Sequence, residues 1–166
     1  MSANAVDTKT REKLGEMIKD IGVAMITTVA SDGTLHSRPM ACPKHGYDGD
    51  LWFFTSDDAP KVLELAESTR ANVTFSEPKH ERYISISGRL MLVHDPKRAK
   101  EMWNPLLKAW FAQGLDDPHL ALLRVAVEQV EYWDAKQSRM LVFFSLVKSA
   151  LTGRPPQHLG EHQRVG

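Results

Sequence analysis

Two cationic and two hydroxyl side chains lie where the chain could bind an anion. Arg38 lies in a strand-like stretch, and Lys61 follows a second such stretch that ends in Thr55 and Ser56. A guanidinium and an ammonium group can hold a phosphate dianion without a metal ion. Backbone amides of a loop or of a helix N-terminus add positive potential to such a site. These residues therefore predict a phosphate site. The alternative is an ordinary strand–loop–helix connection with a solvated lysine.

The stretch before Lys61 contains a strand and the start of a helix. Residues 51–56 are apolar and aromatic, which is typical of a buried strand. Pro60 is suited to a first helical turn, and we predict a helix over 60–68. Asp57 or Asp58 would cap its N-terminus.

Arg38 belongs to the second strand of a predicted hairpin. Residues 23–30 and 35–42 are strand-like and are joined by Asp32-Gly33, a strong hairpin signal. Because Pro39 has no amide hydrogen for a sheet ladder, this strand is expected at an edge or a bulge.

The rest of the pattern predicts one mostly β domain with added helices. Further helices are predicted at 8–21, 95–103 and 140–151, and further strands at 71–76, 83–94 and 120–133. Gly88 inside a strand indicates a bulge or a close approach of another backbone. About six strands joined by short turns favour a small antiparallel barrel. We expect a single domain over 1–166, with its core at about 8–152 and a surface tail at 153–166.

Composition narrows the classes of partner and compartment. Lys plus Arg and Asp plus Glu both number 21, so the net charge is zero. Without a cationic excess, neither nucleic acid nor a membrane is an expected partner. The single cysteine, Cys42, cannot form an internal disulfide, which fits a reducing compartment. No secretion signal or membrane-spanning run is found, so a cytoplasmic location is expected.

Metal and hydrolase sites are not predicted. The seven histidines show no paired ligand spacing. No Gly-x-Ser-x-Gly motif is present to mark a nucleophilic serine.

The order of several motifs resembles the flavin-binding split-barrel superfamily that includes pyridoxamine 5'-phosphate oxidase, in particular its general stress protein 26 branch. The resemblance covers about residues 8–152. Its motifs are Ser37-Arg38-Pro39-Met40, the run 51–55 with Lys61 and Leu65-Ala66, Ile86-Ser87-Gly88, Trp103-Asn104-Pro105, Trp110-Phe111, Asp116-Asp117-Pro118 and Glu131-Tyr132-Trp133-Asp134.

The resemblance implies a six-stranded antiparallel split β-barrel that forms a homodimer. Flavin mononucleotide (FMN), or as an alternative flavin adenine dinucleotide (FAD), would lie at the subunit interface. The implied cofactor-binding residues are Arg38 and Lys61 at the phosphate, Thr55 and Ser56 beside them, Pro39, Met40, Phe53 and Phe54 along the ring, and Trp133 from the partner subunit. A backbone amide or Lys44 would meet the pyrimidine edge of the flavin.

The implied function is that of a flavin-dependent oxidoreductase with a small-molecule redox substrate, and no catalytic acid or base is identified. One alternative is a non-catalytic stress protein that stores or senses the flavin. Another is a changed ligand, either a deazaflavin or none.

The sequence also departs from the oxidase pattern. Ala59 and Pro60 replace a serine and an arginine before the lysine, and Asp57 and Asp58 add negative charge. Near the C-terminus, Arg139 can replace one of two oxidase arginines, but the other position is about Phe143. We therefore do not expect the pyridoxal-phosphate pocket of the oxidase to be retained.

Overall fold

The fold is one antiparallel sheet with short helices at its sides. A computed structural model describes residues 8–43, 46–66, 68–134 and 161–165. Among these residues, no helix is long and apolar enough to cross a membrane. The helices are α1 (Thr8–Ile18), α2 (Pro60–Leu63) and α3 (Pro96–Met102). The strands are β1 (Val23–Val29), β2 (Leu35–Ala41), β3 (Asp50–Ser56), β4 (Arg70–Glu77), β5 (Arg82–Val93), β6 (Leu120–Asp134) and β7 (Glu161–Val165).

The sheet curls so that its two end strands approach each other. Its strand order is β2-β1-β4-β5-β6-β3, with β7 paired to β6 beside this path. β2 and β3 stand at opposite ends of the order and are in contact. The mostly β split barrel predicted from the sequence is confirmed, and Pro39 does lie in an edge strand.

Strand β3, at one end of the strand order, is buried on both faces. Phe53 belongs to the main core, in which Leu14 and Met17 of α1 pack against the sheet. Phe54 points the opposite way into a second cluster, where its ring lies 5.7 Å from that of Trp103 and 6.5 Å from that of Phe111. Burial on both faces explains why residues 51–54 are apolar without alternation.

The C-terminal segment corrects one expectation. The sequence predicted a surface tail over 153–166, but Glu161–Val165 forms β7. The physical reason lies in β6, which pairs with β3 only over Leu120–Ala126. β7 pairs with the remaining backbone groups of β6 over Val130–Asp134, and unpaired strand groups of this kind readily accept another strand.

Gly88 marks the bulge predicted at its position. The register between β5 and β6 shifts between Ser87 and Gly88. A Cβ atom at residue 88 would lie 2.2 Å from the carbonyl oxygen of Ala126. Only glycine therefore allows the two backbones to approach this closely.

The helix after β3 is shorter than predicted. α2 ends at Leu63 and continues as a 3-10 turn over Glu64–Ala66 instead of a single helix to residue 68. Its N-cap residue is Ala59, and no side chain caps it, so the predicted capping by Asp57 or Asp58 is wrong. The predicted helix at 140–151 lies outside the described residues.

Candidate functional site

Arg38 and Lys61 are brought close together, although they belong to different elements. Arg38 lies in β2 and Lys61 in the first turns of α2. Burial lowers the pKa of the half-buried Lys61, and the nearby Arg38 charge lowers it further. Among the described residues, no acceptor forms a hydrogen bond or ion pair with the Lys61 ammonium. The two cations therefore form a region of positive potential with one partly desolvated, uncompensated charge.

Glu64 neutralises part of that potential. Nη2 of Arg38 donates to Oε2 of Glu64 at 3.1 Å, and the Thr28 hydroxyl donates to the same oxygen at 2.5 Å. Nδ1 of His36 lies 3.0 Å from the other oxygen, Oε1. The hydrogen bonds from Thr28, His36 and Arg38 lower the pKa of Glu64 to about 2. The carboxylate is therefore ionised at neutral pH and competes with any anion for Arg38.

The sequence interpretation missed Glu64, Thr28 and His36. One available signal was helical spacing, because Glu64 follows Lys61 by three residues and side chains at that spacing share a face. A second was the hairpin, which pairs Thr28 with His36. Neither signal shows that Arg38 would reach across to Glu64.

The predicted hydroxyls are less available than the sequence suggested. Thr55 is only 2% exposed, and its hydroxyl donates to the carbonyl of Ser56 at 3.2 Å. The Ser56 hydroxyl donates to Oδ1 of Asp58 at 2.5 Å. Each hydroxyl therefore already has a partner within the chain.

The predicted ring-lining residues divide into buried side chains and exposed backbone. Met40, Phe53 and Phe54 have buried side chains, so only their main chain can line a ligand within this subunit. Pro39 is exposed on β2. β2 and β3 each have one edge without a strand partner in the described part of the chain, and the two strands are in contact.

Trp133 lies far from Arg38 along the sheet. It is in β6 opposite Tyr83 of β5, and the two side chains are 39% and 44% exposed. Four strand positions separate β6 from β2 along the sheet. That Trp133 acts on the flavin of another subunit stays a prediction. Lys44, Arg139 and Phe143 lie outside the described residues.

A separate cluster forms at the end of β3. Oδ1 of Asp57 lies 2.9 Å from Nδ1 of His119, and Oδ2 lies 3.3 Å from Nε2 of His94. These contacts, led by the hydrogen bond to His119, lower the pKa of Asp57. In return, the hydrogen bond with Asp57 raises the pKa of His119.

A cavity of about 1130 Å³ lies between α1 and the segment that leads into β3. Its lining includes Arg11, Tyr47 and Trp52, but neither Arg38 nor Lys61. The cavity is therefore distinct from the anion site.

Comparison with known protein families identifies the family of this chain. A family model described as "Pyridoxamine 5'-phosphate oxidase like" matches residues 9–157. The chain belongs to the pyridoxamine 5'-phosphate oxidase-like family. Within it, protein bli-3 of Neurospora crassa is 26% identical over 90% of this chain and 76% of its own length.

Two solved structures place the chain near the general stress proteins. The general stress FMN/FAD binding protein of Xanthomonas citri is 33% identical, covers 77% of this chain and 90% of its own, and superposes with a TM-score of 0.65. A general stress protein 26 from Jannaschia sp. CCS1 is 23% identical over 96% of this chain and 99% of its own, with a TM-score of 0.73. At that identity the second likeness concerns the fold alone. The resemblance to the general stress protein 26 branch is confirmed.

Proposed function

We propose that this family member binds a flavin nucleotide whose phosphate lies between Arg38 and Lys61. The observation that carries the proposal is the half-buried Lys61 ammonium, which lies beside Arg38 and has no anionic partner among the described residues. Holding two like charges together is unfavourable unless an anion joins them. The relative from Xanthomonas citri, described as an FMN/FAD binding protein, supports a flavin as the source of that anion.

The residues of this site fit a flavin phosphate, although one negatively charged side chain lies among them. Arg38 offers planar donors suited to phosphate oxygens, and Lys61 offers a point charge. Ser56 is the last residue of β3, and Pro39 and Met40 lie in β2. Glu64 opposes the phosphate, so we expect binding to be weaker than two free cations would give.

The chain's contribution would be binding and orientation. When bound, the flavin supplies electron or hydride transfer. The free backbone edges of β2 and β3 would hold the ring, while the apolar side chains of Phe53 and Phe54 keep β3 fixed beneath it.

We further propose a homodimer in which Trp133 reaches the partner's flavin. Exposed aromatic side chains are enriched at protein interfaces, and Trp133 lies beside the exposed Tyr83. Replacing Trp133 with alanine should change flavin binding and dimerisation together, as measured by fluorescence titration and light scattering. Wild-type behaviour in both measurements would contradict this placement.

We propose FMN as the preferred flavin and an oxidoreductase as the activity, with a non-catalytic flavin-storing or flavin-sensing protein as the alternative. The decisive binding test compares FMN, FAD and riboflavin by quenching of flavin fluorescence. If the phosphate site is used, FMN should bind more tightly than riboflavin, which has no phosphate. Equal affinities, or no binding of any flavin, would refute the proposal.

Stopped-flow reduction by nicotinamide cofactors, followed by reoxidation with oxygen, separates the two functions. Reduction and reoxidation at rates above those of free FMN would support the oxidoreductase. A protein that binds FMN but shows no turnover with any donor would support the storage or sensing role.

A further inference from the structure

The ends of β3 and β5 lie beside the start of β6. Residues that are far apart in the sequence therefore meet at this edge of the sheet. Ser56, the last residue of β3, pairs with Leu120, and Val93, the last residue of β5, pairs with Leu122. The residues just beyond these paired positions are Asp57, His94 and His119. The amide of Asp57 also donates to the carbonyl of His119 at 2.9 Å. The positions of these residues are therefore set by the sheet register as well as by side-chain rotamers.

Asp57, Asp58 and His119 place ligand atoms close enough together to surround one ion. Asp57 contacts His119 at 2.9 Å and His94 at 3.3 Å through its two carboxylate oxygens. One ligand atom each of Asp57, Asp58 and His119 lies within 4.8 Å of the other two. Around an ion with bonds of about 2.1 Å, adjacent ligands are about 3.0–3.4 Å apart and opposite ligands about 4.2 Å. The upper limit of 4.8 Å for Asp57, Asp58 and His119 is close to these values, whereas His94 contacts Asp57 alone and would have to move toward the other two.

We propose that Asp57, Asp58 and His119 bind a divalent transition-metal ion of the zinc type, with His94 as a fourth ligand. Imidazole together with carboxylate suits zinc and its first-row neighbours, whereas magnesium and calcium prefer oxygen ligands alone. Charge favours the same conclusion. In the described part of the chain, Asp57 and Asp58 form no ion pair with lysine or arginine, and the partners of Asp57 are two imidazoles.

This strand-end cluster (Asp57, Asp58, His94 and His119) shares no residue with the anion site, although Ser56 donates a hydrogen bond to Asp58. Neither Arg38 nor Lys61 belongs to it. The prediction that the chain has no metal site rested on the absence of closely spaced ligands. His94 and His119 are 37 and 62 residues from Asp57, so only the fold brings them together.

The test uses the full chain without a histidine tag, freed of metal by a chelator. Isothermal titration with zinc chloride should show one ion per chain. His119→Ala and Asp57→Asn should each weaken binding at least tenfold, the usual effect of a disturbed metal site. His80→Ala is the matched control, because His80 is an exposed histidine whose ion-pair partner is Glu77.

A spectroscopic measurement identifies the ligands directly. Electron paramagnetic resonance of the Cu²⁺-loaded protein should show nitrogen hyperfine structure that is reduced in His119→Ala and unchanged in His80→Ala. If His119→Ala does not fold, as judged by thermal unfolding, Asp57→Asn decides, since it retains the side-chain volume.

Three results would overturn the proposal. One is the absence of saturable zinc binding by the wild-type chain. Another is zinc binding of wild-type strength in both His119→Ala and Asp57→Asn. The third is binding that is retained in His119→Ala and lost in His162→Ala, since the ion would then belong to β7.

Discussion

The anion site (Arg38, Lys61 and Glu64) and the strand-end cluster both combine ionisable groups, but in different surroundings. The side chains of Arg38 and Glu64 are 24% and 16% exposed, whereas those of His94 and His119 are 56% and 59% exposed. In the more buried site, the hydrogen bonds from Thr28, His36 and Arg38 lower the pKa of Glu64 to about 2, although burial by itself would raise it. In the exposed cluster, water screens the contacts between charged groups. The number of hydrogen bonds that a carboxylate accepts therefore governs how strongly its ionisation is coupled to folding and to binding.

The largest effect on stability is expected from a change at the bulge between β5 and β6. The register of these two strands positions His94 and His119 of the strand-end cluster. Gly88→Ala would place a Cβ atom 2.2 Å from the Ala126 carbonyl oxygen. Because backbone must move, we expect a loss of about 3 kcal/mol or more in the free energy of unfolding, measured by urea denaturation. Gly22→Ala is the control, since nothing lies within 4 Å of its added Cβ. Equal stability of the two variants would contradict the close approach at residue 88.

Arg38→Ala tests the anion site through its ligand. Losing a charged hydrogen bond should weaken FMN binding by about 1.5–3 kcal/mol, while riboflavin binding should stay unchanged. Fluorescence titration with both ligands measures the difference. Arg89→Ala is a suitable control, because Arg89 is exposed and pairs with Glu128. An FMN dissociation constant unaffected by Arg38→Ala would refute the phosphate position.

Glu64→Gln removes the carboxylate charge that competes with a phosphate for Arg38, and so tests the anion site alone. FMN should bind more tightly, by about 1 kcal/mol, because one repulsive carboxylate is lost near the phosphate. The pH dependence of stability should change as well. The pKa of Glu64 falls from 4.5 to about 2 on folding, so its contribution is present above pH 4.5 and is lost as the pH falls toward 2. Acid unfolding of Glu64→Gln should lack this component. Weaker FMN binding by the variant would instead mean that Glu64 positions Arg38 for the phosphate.

The smallest effect is expected in the exposed cluster of the metal-free protein. The raised pKa of His119 results chiefly from its hydrogen bond with Asp57. This pair stabilises the fold below the ordinary pKa of histidine, and the stabilisation is lost as the pH rises through the raised value. In Asp57→Asn, the pKa of His119 should move down toward its ordinary value, as measured by NMR titration of the imidazole protons. An unchanged titration of His119 would show that the two side chains are not in contact in solution.

Local sequence signals predicted most of the fold because each acts over a few residues. Asp32-Gly33 predicted the hairpin, and Gly33 has the positive φ of 84° that such a turn needs. Gly88 predicted the bulge, and the aromatic run 51–54 predicted a buried strand. β7 was missed because its partner positions in β6 lie about 30 residues earlier, and no local pattern shows that they are left unpaired.

The two sites differ in how far the sequence could predict them. Arg38 and Lys61 were found because the residue types and flanking motifs resemble a known family. The pairing of Arg38 with Glu64 was not, since it depends on how the 3-10 turn after α2 lies against β1 and β2. The strand-end cluster was missed entirely, because its members come from three separate elements.

By itself, the sequence determined every strand but β7, the hairpin turn, the edge position of Pro39 and the presence of two cations suited to an anion. These features follow from backbone geometry and residue chemistry over short spans. Only the tertiary structure decided that Glu64 pairs with Arg38, where it would compete with a bound anion. It also decided that Asp57 contacts His94 and His119. Such contacts depend on strand register and helix placement, which are set by packing between residues far apart in the chain.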